Sequence, residues 1–399
     1  MMAISQEERW RIRHHLPDEL MWEILTWLPV KSLMRFRCVS KHWRSIIRNP
    51  SFVNSYRGGF KGLLIQEPGN YIQRFSPTEN FFYINLLDDD GPDDRSNKQI
   101  SLHHTLEHGN GHSLDSTRVV NGLVCYYCGN YSCLYNIATR ERIDLPLSQY
   151  EYNLSRYHLG YDPINKMYKL LKICPPVYDS EALLIRNFDC EILTLGIDES
   201  WRNIESPPCE ILKNSICFDG VLYWMEPENN IAFDLAREKF GFFTTPGKDY
   251  IGYLPQFGPS LATLGGTILK TDMNSGKMTC FGVMNRYDGK NGGWQKEHSF
   301  ILQLKDEFDD CEGFRFPLGM LPDGKVVVIC EGTQFWNFQS PLYLYDQVEK
   351  KLTRFVIRSS SSRSDELIFQ GCMSSMTYHE ENIIPLNCLT ATASPLNNS

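Results

Sequence analysis

What this chain has little of narrows the field first. No run of eighteen apolar residues occurs in its 399 residues, so no segment reads as a membrane-spanning helix. Residues 1–15 (MMAISQEERWRIRHH) are polar and charged, without the apolar core of a secretory signal. Its thirteen cysteines are scattered, with no framework of regular spacings. A reducing compartment, cytoplasm or nucleus, is therefore expected, with most thiols acting as small buried hydrophobes. Motifs that carry chemistry are missing too: there is no G-x-S-x-G elbow, P-loop, G-x-G-x-x-G after a strand, or H-E-x-x-H. No cofactor is implied and no catalytic residue stands out.

Positive charge is scarce over most of the chain. Residues 1–57 hold ten Lys/Arg against five Asp/Glu, which leaves 30 against 43 in the remainder. A remainder with a net charge of −13 disfavours nucleic acid as its ligand. The basic N-terminal stretch, by contrast, suits an acidic partner.

What is present points to a packed protein of two parts. A hydrophobic fraction of 42% with 13% aromatics is enough for a substantial core. The length exceeds one ordinary domain, so a small module followed by one large repeat-built domain is expected. The character of the chain changes at Arg57-Gly58-Gly59. The sequence divides into a flexible stretch 1–15, a helical module 16–57, a β-domain 58–390 and a flexible tail 391–399.

Three short helices are expected in the module. Pro17 suits a first helical turn, and Asp18 and Glu19 favour its positive end. Leu20, Ile24, Leu25 and Leu28 follow as one apolar stripe until Pro29 stops the helix. A second helix runs from about Lys31 with Leu33 and Phe36 inward. Ser40 caps a third, in which Trp43, Ile46 and Ile47 share a face until Asn49-Pro50 ends it. A unit this small buries too little to stand strongly alone and is expected to lean on a partner.

The β-domain shows loose internal repeats. Asn121-Gly122-Leu123 leads to Leu134-Tyr135-Asn136, Asp219-Gly220-Val221 to Ile231-Ala232-Phe233-Asp234, and Asp323-Gly324-Lys325 to Leu342-Tyr343-Leu344-Tyr345-Asp346. Each tight turn opens an apolar strand, and a second strand ends in Asn or Asp before a charged turn. Residues 157–207 and 259–305 read as degenerate members. Units of roughly 40–50 residues are the size of a β-propeller blade, and about six would fit. A β-sandwich or a pair of barrels also accommodates the pattern. Asp88–Asp94 and Ser359–Ser364 read as exposed loops.

Zinc is the sharpest alternative chemistry. Cys125, Cys128 and Cys133 have a C-x-x-C spacing, and His103, His104, His108 and His112 lie upstream. A structural zinc site needs four convergent ligands. The cysteines sit in an apolar run that reads as two strands and a turn, and the histidines in a Gly/Asn-containing loop, so buried thiols and solvated imidazoles are favoured over a metal.

The segment Leu16–Phe52 resembles the F-box in the order and spacing of Leu16-Pro17, Leu20, Ile24-Leu25, Leu28-Pro29, Leu33, Val39-Ser40-Lys41 and Trp43. The remainder is similar to the plant F-box-associated domain, often grouped with kelch-like propellers. The matching segments are Asn121-Gly122-Leu123, Leu134 to Arg140 with Leu145-Pro146, and Gly160-Tyr161-Asp162-Pro163; Ile137 departs from the family's usual proline. The resemblance implies a mainly β protein, an N-terminal three-helix F-box followed by a β-propeller-like domain. It implies that Leu16, Pro17, Leu20, Ile24, Leu25 and Leu28 contact a Skp-type adaptor, with Pro29, Leu33, Val39 and Trp43 completing or supporting that surface. A cullin scaffold would follow through the adaptor, and the β-domain would present a target protein for ubiquitination in an SCF-type ligase. Arg35, Arg37 and Arg44 would steer an acidic partner. Two further readings remain: a glycan- or small-molecule-binding propeller tethered by the F-box, and an enzyme like the copper–radical oxidases built on kelch propellers. No spacing of Tyr, His and Cys demands the second.

Overall fold

The computed structural model describes residues 17–59, 61–67, 78–85, 99–107, 114–151, 154–175, 189–209, 211, 215–225, 230–243 and 375–390, together with strands and one turn between 252 and 370. Leu16, His108, His112, Asp88–Asp94, Asp323-Gly324 and Ser359–Ser364 lie outside the described residues, as do both expected flexible ends.

Among the described residues the N-terminal module has four helices rather than three: α1 (Asp18–Thr26), α2 (Val30–Phe36), α3 (Lys41–Arg48) and α4 (Pro50–Ser55). Ser40 caps α3 by accepting the Trp43 N–H at 3.1 Å. Asn49 ends α3 and caps the next helix, its side chain accepting the Ser51 N–H at 2.8 Å. Pro50 then occupies the first turn of α4, where a missing N–H is harmless. A residue pair read as a terminator thus serves as a corner.

Inside the module Met21, Leu25, Val30, Leu33, Ile47 and Phe52 form one core, and Ala138 and Ile383 of the β-domain belong to the same cluster. The helices lean on the β-domain of their own chain. The connection is short and close-packed. The Arg57 N–H donates to the Thr26 carbonyl at 2.9 Å, and Tyr56 donates its hydroxyl to the Leu28 carbonyl at 2.7 Å. Gly58 lies so near the α1 terminus that a Cβ there would stand 2.3 Å from the Trp27 carbonyl carbon.

Among the described residues the rest of the chain forms six sheets of four or five strands and one two-stranded sheet. Three are four-stranded antiparallel meanders: strands 115–116, 123–128, 131–136 and 142–144; strands 156–162, 167–174, 189–194 and 202–203; and strands 216–218, 221–225, 230–234 and 239–242. Another sheet joins the two ends of the domain, because Ser375–Glu380 pairs antiparallel with Lys61–Glu67 (Gly62 opposite His379). Adjacent sheets pack through large side chains, with Tyr127 of one stacked on Tyr157 of the next at 4.5 Å.

The repeat has a clear physical basis. Asn121-Gly122 and Asp219-Gly220 both carry positive φ at two consecutive residues, the backbone of a tight hairpin that Asn-Gly and Asp-Gly supply at least strain. The Asn or Asp ending a later strand closes the next turn: Asn136 Oδ1 accepts the N–H groups of Ala138 and Thr139, and Asp234 Oδ1 those of Ala236 and Arg237. Asp162 and Asp346 do the same. In three of the four, the residue four places on (Arg140, Lys166, Glu238) takes the left-handed conformation that reverses the chain. Ile137 does not disturb its turn: it is buried, and its N–H donates to the Gly122 carbonyl at 3.0 Å.

Candidate interaction surface of the helical module

Helix α1 carries two apolar stripes where one was expected. Met21 and Leu25 face the core, with Leu28 packed against it. Leu20, Ile24 and Trp27, spaced i, i+4 and i+7, face away, and 53–56% of each remains exposed. Val39, after α2, is 65% exposed. The two stripes lie about 100° apart on the same helix, so the module fills its interior and still presents apolar side chains to solvent.

This geometry sorts the residues that the F-box resemblance singles out. Pro17, Leu20, Ile24, Pro29 and Val39 are exposed; Leu28 and Trp43 are half-buried, with Trp43 edge-on to Phe36 at 4.9 Å. Leu25, by contrast, is 1% exposed and packs within the core. Leu33 is likewise interior. Trp27, missed by the sequence reading, joins the outer stripe; extending the i, i+4 pair Leu20–Ile24 by three residues would have found it.

The charged rim also differs from expectation. Arg37 is committed within the chain, its guanidinium 2.7 Å from Glu141 of the β-domain, and the Arg44 Nε donates to the Arg37 carbonyl at 3.1 Å. Arg35 stays exposed. At the start of α1, Asp18 lies 3.1 Å from His42.

In the β-domain the three cysteines do not converge. Cys125 joins the core that holds Tyr157 and Leu170, Cys133 the core on the opposite face that holds Val124 and Tyr83, and Cys128 is exposed. Burial, first of all, pushes the Cys125 and Cys133 thiols up, so both stay protonated. His103 and His104 fall in strand Gln99–Glu107, not in a loop.

Buried polar groups that the sequence reading passed over tie the sheets together. Lys172 and Glu191 are fully buried and paired across neighbouring strands. Ser148, in the linker between two sheets, accepts from Lys172 at 2.6 Å and donates to Glu191 at 2.5 Å. Burial holds the Lys172 ammonium below the ordinary lysine range. Lys169 reaches Glu238 of the next sheet at 2.8 Å, and Arg202 joins the same carboxylate at 3.0 Å. A lysine inside the apolar strand Met167–Cys174 was the available signal. These clusters latch turns and linkers; with Lys172 and Glu191 sealed off, a substrate has no access to them.

Comparison with known proteins agrees with both parts. Residues 14–55 match the F-box domain, and residues 75–381 match the F-box associated beta propeller domain. An F-box protein of Arabidopsis thaliana is 28% identical over 346 residues, covering 77% of this chain and 91% of its own. Another from the same plant is 32% identical over 266 residues, covering 59% of this chain and 63% of its own. The solved N-terminal domain of Nup159 superposes with a TM-score of only 0.32 at 12% identity, covering 67% of this chain and 60% of its own. Among the described residues no helix is long and apolar enough to cross a membrane. The chain belongs to the plant F-box proteins with an F-box associated beta propeller domain, a family that indicates a component of an SCF-type ubiquitin ligase.

Proposed function

We propose that this protein is the target-recruiting subunit of an SCF-type ubiquitin ligase. The helical module docks on a Skp-type adaptor and, through it, on a cullin scaffold, while the β-domain holds a target protein. One observation carries the reading: Leu20, Ile24 and Val39 remain outside a helical core that is already filled. Apolar side chains grouped on one small basic module fit a partner that offers an apolar groove with acidic surroundings. The chain contributes effective concentration and orientation rather than bond chemistry. The same reading sets the modules at residues 16–57 and 58–390, takes the six larger sheets as six kelch-like blades, and places the protein in the cytoplasm or nucleus.

The shared core between the helices and Ala138 and Ile383 supports a fixed placement of the target relative to the adaptor. The topology also favours one end of the β-domain for the target. Turns 137–141 and 121–122 lie at the end where the helices pack; Gly129-Asn130 and the described linker residues 145–151 and 154–155 lie at the other. That linker inverts the usual pattern, burying Ser148 and Ser155 while exposing Leu147 and Leu154. Leucines held outward by anchored serines suit contact with another protein.

Co-precipitation of the full chain with a recombinant Skp-type adaptor tests the proposal. The Pro17→Ala/Leu20→Glu double variant should lose the adaptor while keeping the wild-type unfolding transition. Undiminished capture by that variant would sink the docking assignment.

A further inference from the structure

The outer stripe of α1 continues past the residues carried by the F-box resemblance to Trp27, whose indole is 56% exposed. So large an apolar group left half in water calls for a reason, and its surroundings give one. The indole N–H donates to Glu23 Oε1 at 3.0 Å, one turn earlier. The Arg57 guanidinium stands over the ring, 5.6 Å from its centroid. Arg57 is itself anchored, since its N–H is bonded to the Thr26 carbonyl and Gly58 is wedged against the Trp27 backbone. Trp27 is therefore held in one pose before any partner arrives, which lowers the entropic cost of using it in an interface. Among the described residues the Arg57 guanidinium has no hydrogen bond or ion pair, so its donors are open to solvent.

We propose that Trp27 and Arg57 form an additional anchor for the Skp-type adaptor, the indole covering an apolar patch and the guanidinium taking a carboxylate beside it. The inference rests on the adaptor-docking reading above and says which residues strengthen it. Three observations select this occupant. The indole is continuous with Leu20 and Ile24 on a single helix face. Residues 17–59 carry seven Lys/Arg against three Asp/Glu, which complements an acidic partner. Trp and Arg are also among the residue types enriched at the hot spots of protein interfaces. The competing role is internal, a brace for the connection between α1 and the β-domain, and the two roles separate cleanly by experiment.

The full chain is titrated with a recombinant Skp-type adaptor by calorimetry at low and high salt, and thermal unfolding is followed in parallel. Trp27→Ala should weaken binding about tenfold or more, whereas Trp27→Phe keeps most of the affinity. Arg57→Ala should weaken binding less and flatten its salt dependence, with both variants melting close to the wild type. Lowered melting of Trp27→Ala with wild-type affinity assigns the pair to the brace and overturns the proposal. Should Trp27→Ala fail to fold, Arg57→Glu decides the matter, because it reverses the charge without opening a cavity; unchanged affinity overturns the anchor. If Leu20→Glu/Ile24→Glu abolishes binding while the Trp27 and Arg57 variants bind normally, the anchor is wrong and adaptor docking stands. If the wild-type chain does not bind the adaptor at all, the docking reading fails and takes the anchor with it.

Discussion

The Arg37 guanidinium of the helical module lies 2.7 Å from the Glu141 carboxylate of the β-domain, and the other oxygen of that carboxylate accepts the Leu386 N–H at 3.3 Å. One side chain thus clamps the end of α2, a turn of the β-domain and the C-terminal 3₁₀ turn. Both partners are largely screened from water by the packing around them, so the pair is worth more than an exposed one.

Removing Glu141 should therefore loosen the helical module selectively. Glu141→Ala is expected to cost about 1–3 kcal/mol, since it strands the Arg37 charge and the Leu386 N–H together. Arg37→Ala should cost less, because Glu141 then turns to nearby solvent and keeps Leu386. Hydrogen exchange is expected to show faster exchange in α1–α4 for Glu141→Ala and little change in strands 167–174. Uniform protection across the chain would refute a clamp between modules.

The two stripes of α1 predict opposite phenotypes for residues five apart. Leu25→Ala removes a fully enclosed side chain and should destabilise the protein by about 2–4 kcal/mol. Leu20→Ala, on the outer stripe, should shift stability by no more than about 0.5 kcal/mol and yet weaken adaptor binding. Chemical denaturation and adaptor capture on the same pair of variants check this. A destabilised Leu20 variant would mean that the outer stripe is packed in solution.

Asn136 concentrates more of the fold in one side chain than any other turn residue described. Its Oδ1 accepts two backbone N–H groups of its own turn, and its Nδ2 donates to Asn382 Oδ1 at 2.9 Å and to the Ile384 carbonyl at 3.3 Å. Asn136→Asp keeps the turn but sets a carboxylate against those acceptors, so it should be nearly as damaging as Asn136→Ala, at about 2–3 kcal/mol. At Asp234, whose side chain is engaged in turn contacts, the reverse exchange Asp234→Asn should be mild. Equal tolerance at both sites in thermal unfolding would contradict the Asn136–Asn382 link.

The turn residues also mark how far the sequence could be read. Asn121-Gly122 and Asp219-Gly220 demanded positive φ, and the Asn or Asp closing each later strand offered its own backbone a local acceptor, so the meanders were legible. The four-helix corner was not, because Asn49-Pro50 satisfies a helix end and a helix start by the same chemistry. Leu25 and Leu20 are alike as residues; only the packing of Val30, Leu33, Ile47 and Phe52, together with Ala138 and Ile383, in one cluster decides which stripe is covered. Lys172 and Glu191 meet across neighbouring strands of one sheet and Ser148 reaches them from the linker before it, so the lysine in an apolar strand was a signal but its partners were not legible.

His158 gives a pH dependence with a definite sign. Burial, reinforced by the nearby Arg156 charge, lowers its pKa to about 3 from an ordinary value of 6.5. Its Nδ1 accepts the Ser215 N–H at 3.4 Å, and its ring meets Trp224 edge-on at 5.0 Å. The folded state therefore holds a neutral imidazole where the unfolded chain gains a proton. Because the unfolded state binds the extra proton, this contribution is fully present above pH ~6.5 and is lost progressively as pH falls toward ~3. The loss should be on the order of a few kcal/mol across that window. His158→Phe keeps the packing against Trp224 but leaves the Ser215 N–H without its acceptor, so it should be less stable than the wild type at pH 7. Its stability should nevertheless fall less steeply between pH 6.5 and 4, so that the two curves converge on acidification. Parallel curves from denaturation at several pH values would show that the acid sensitivity arises elsewhere.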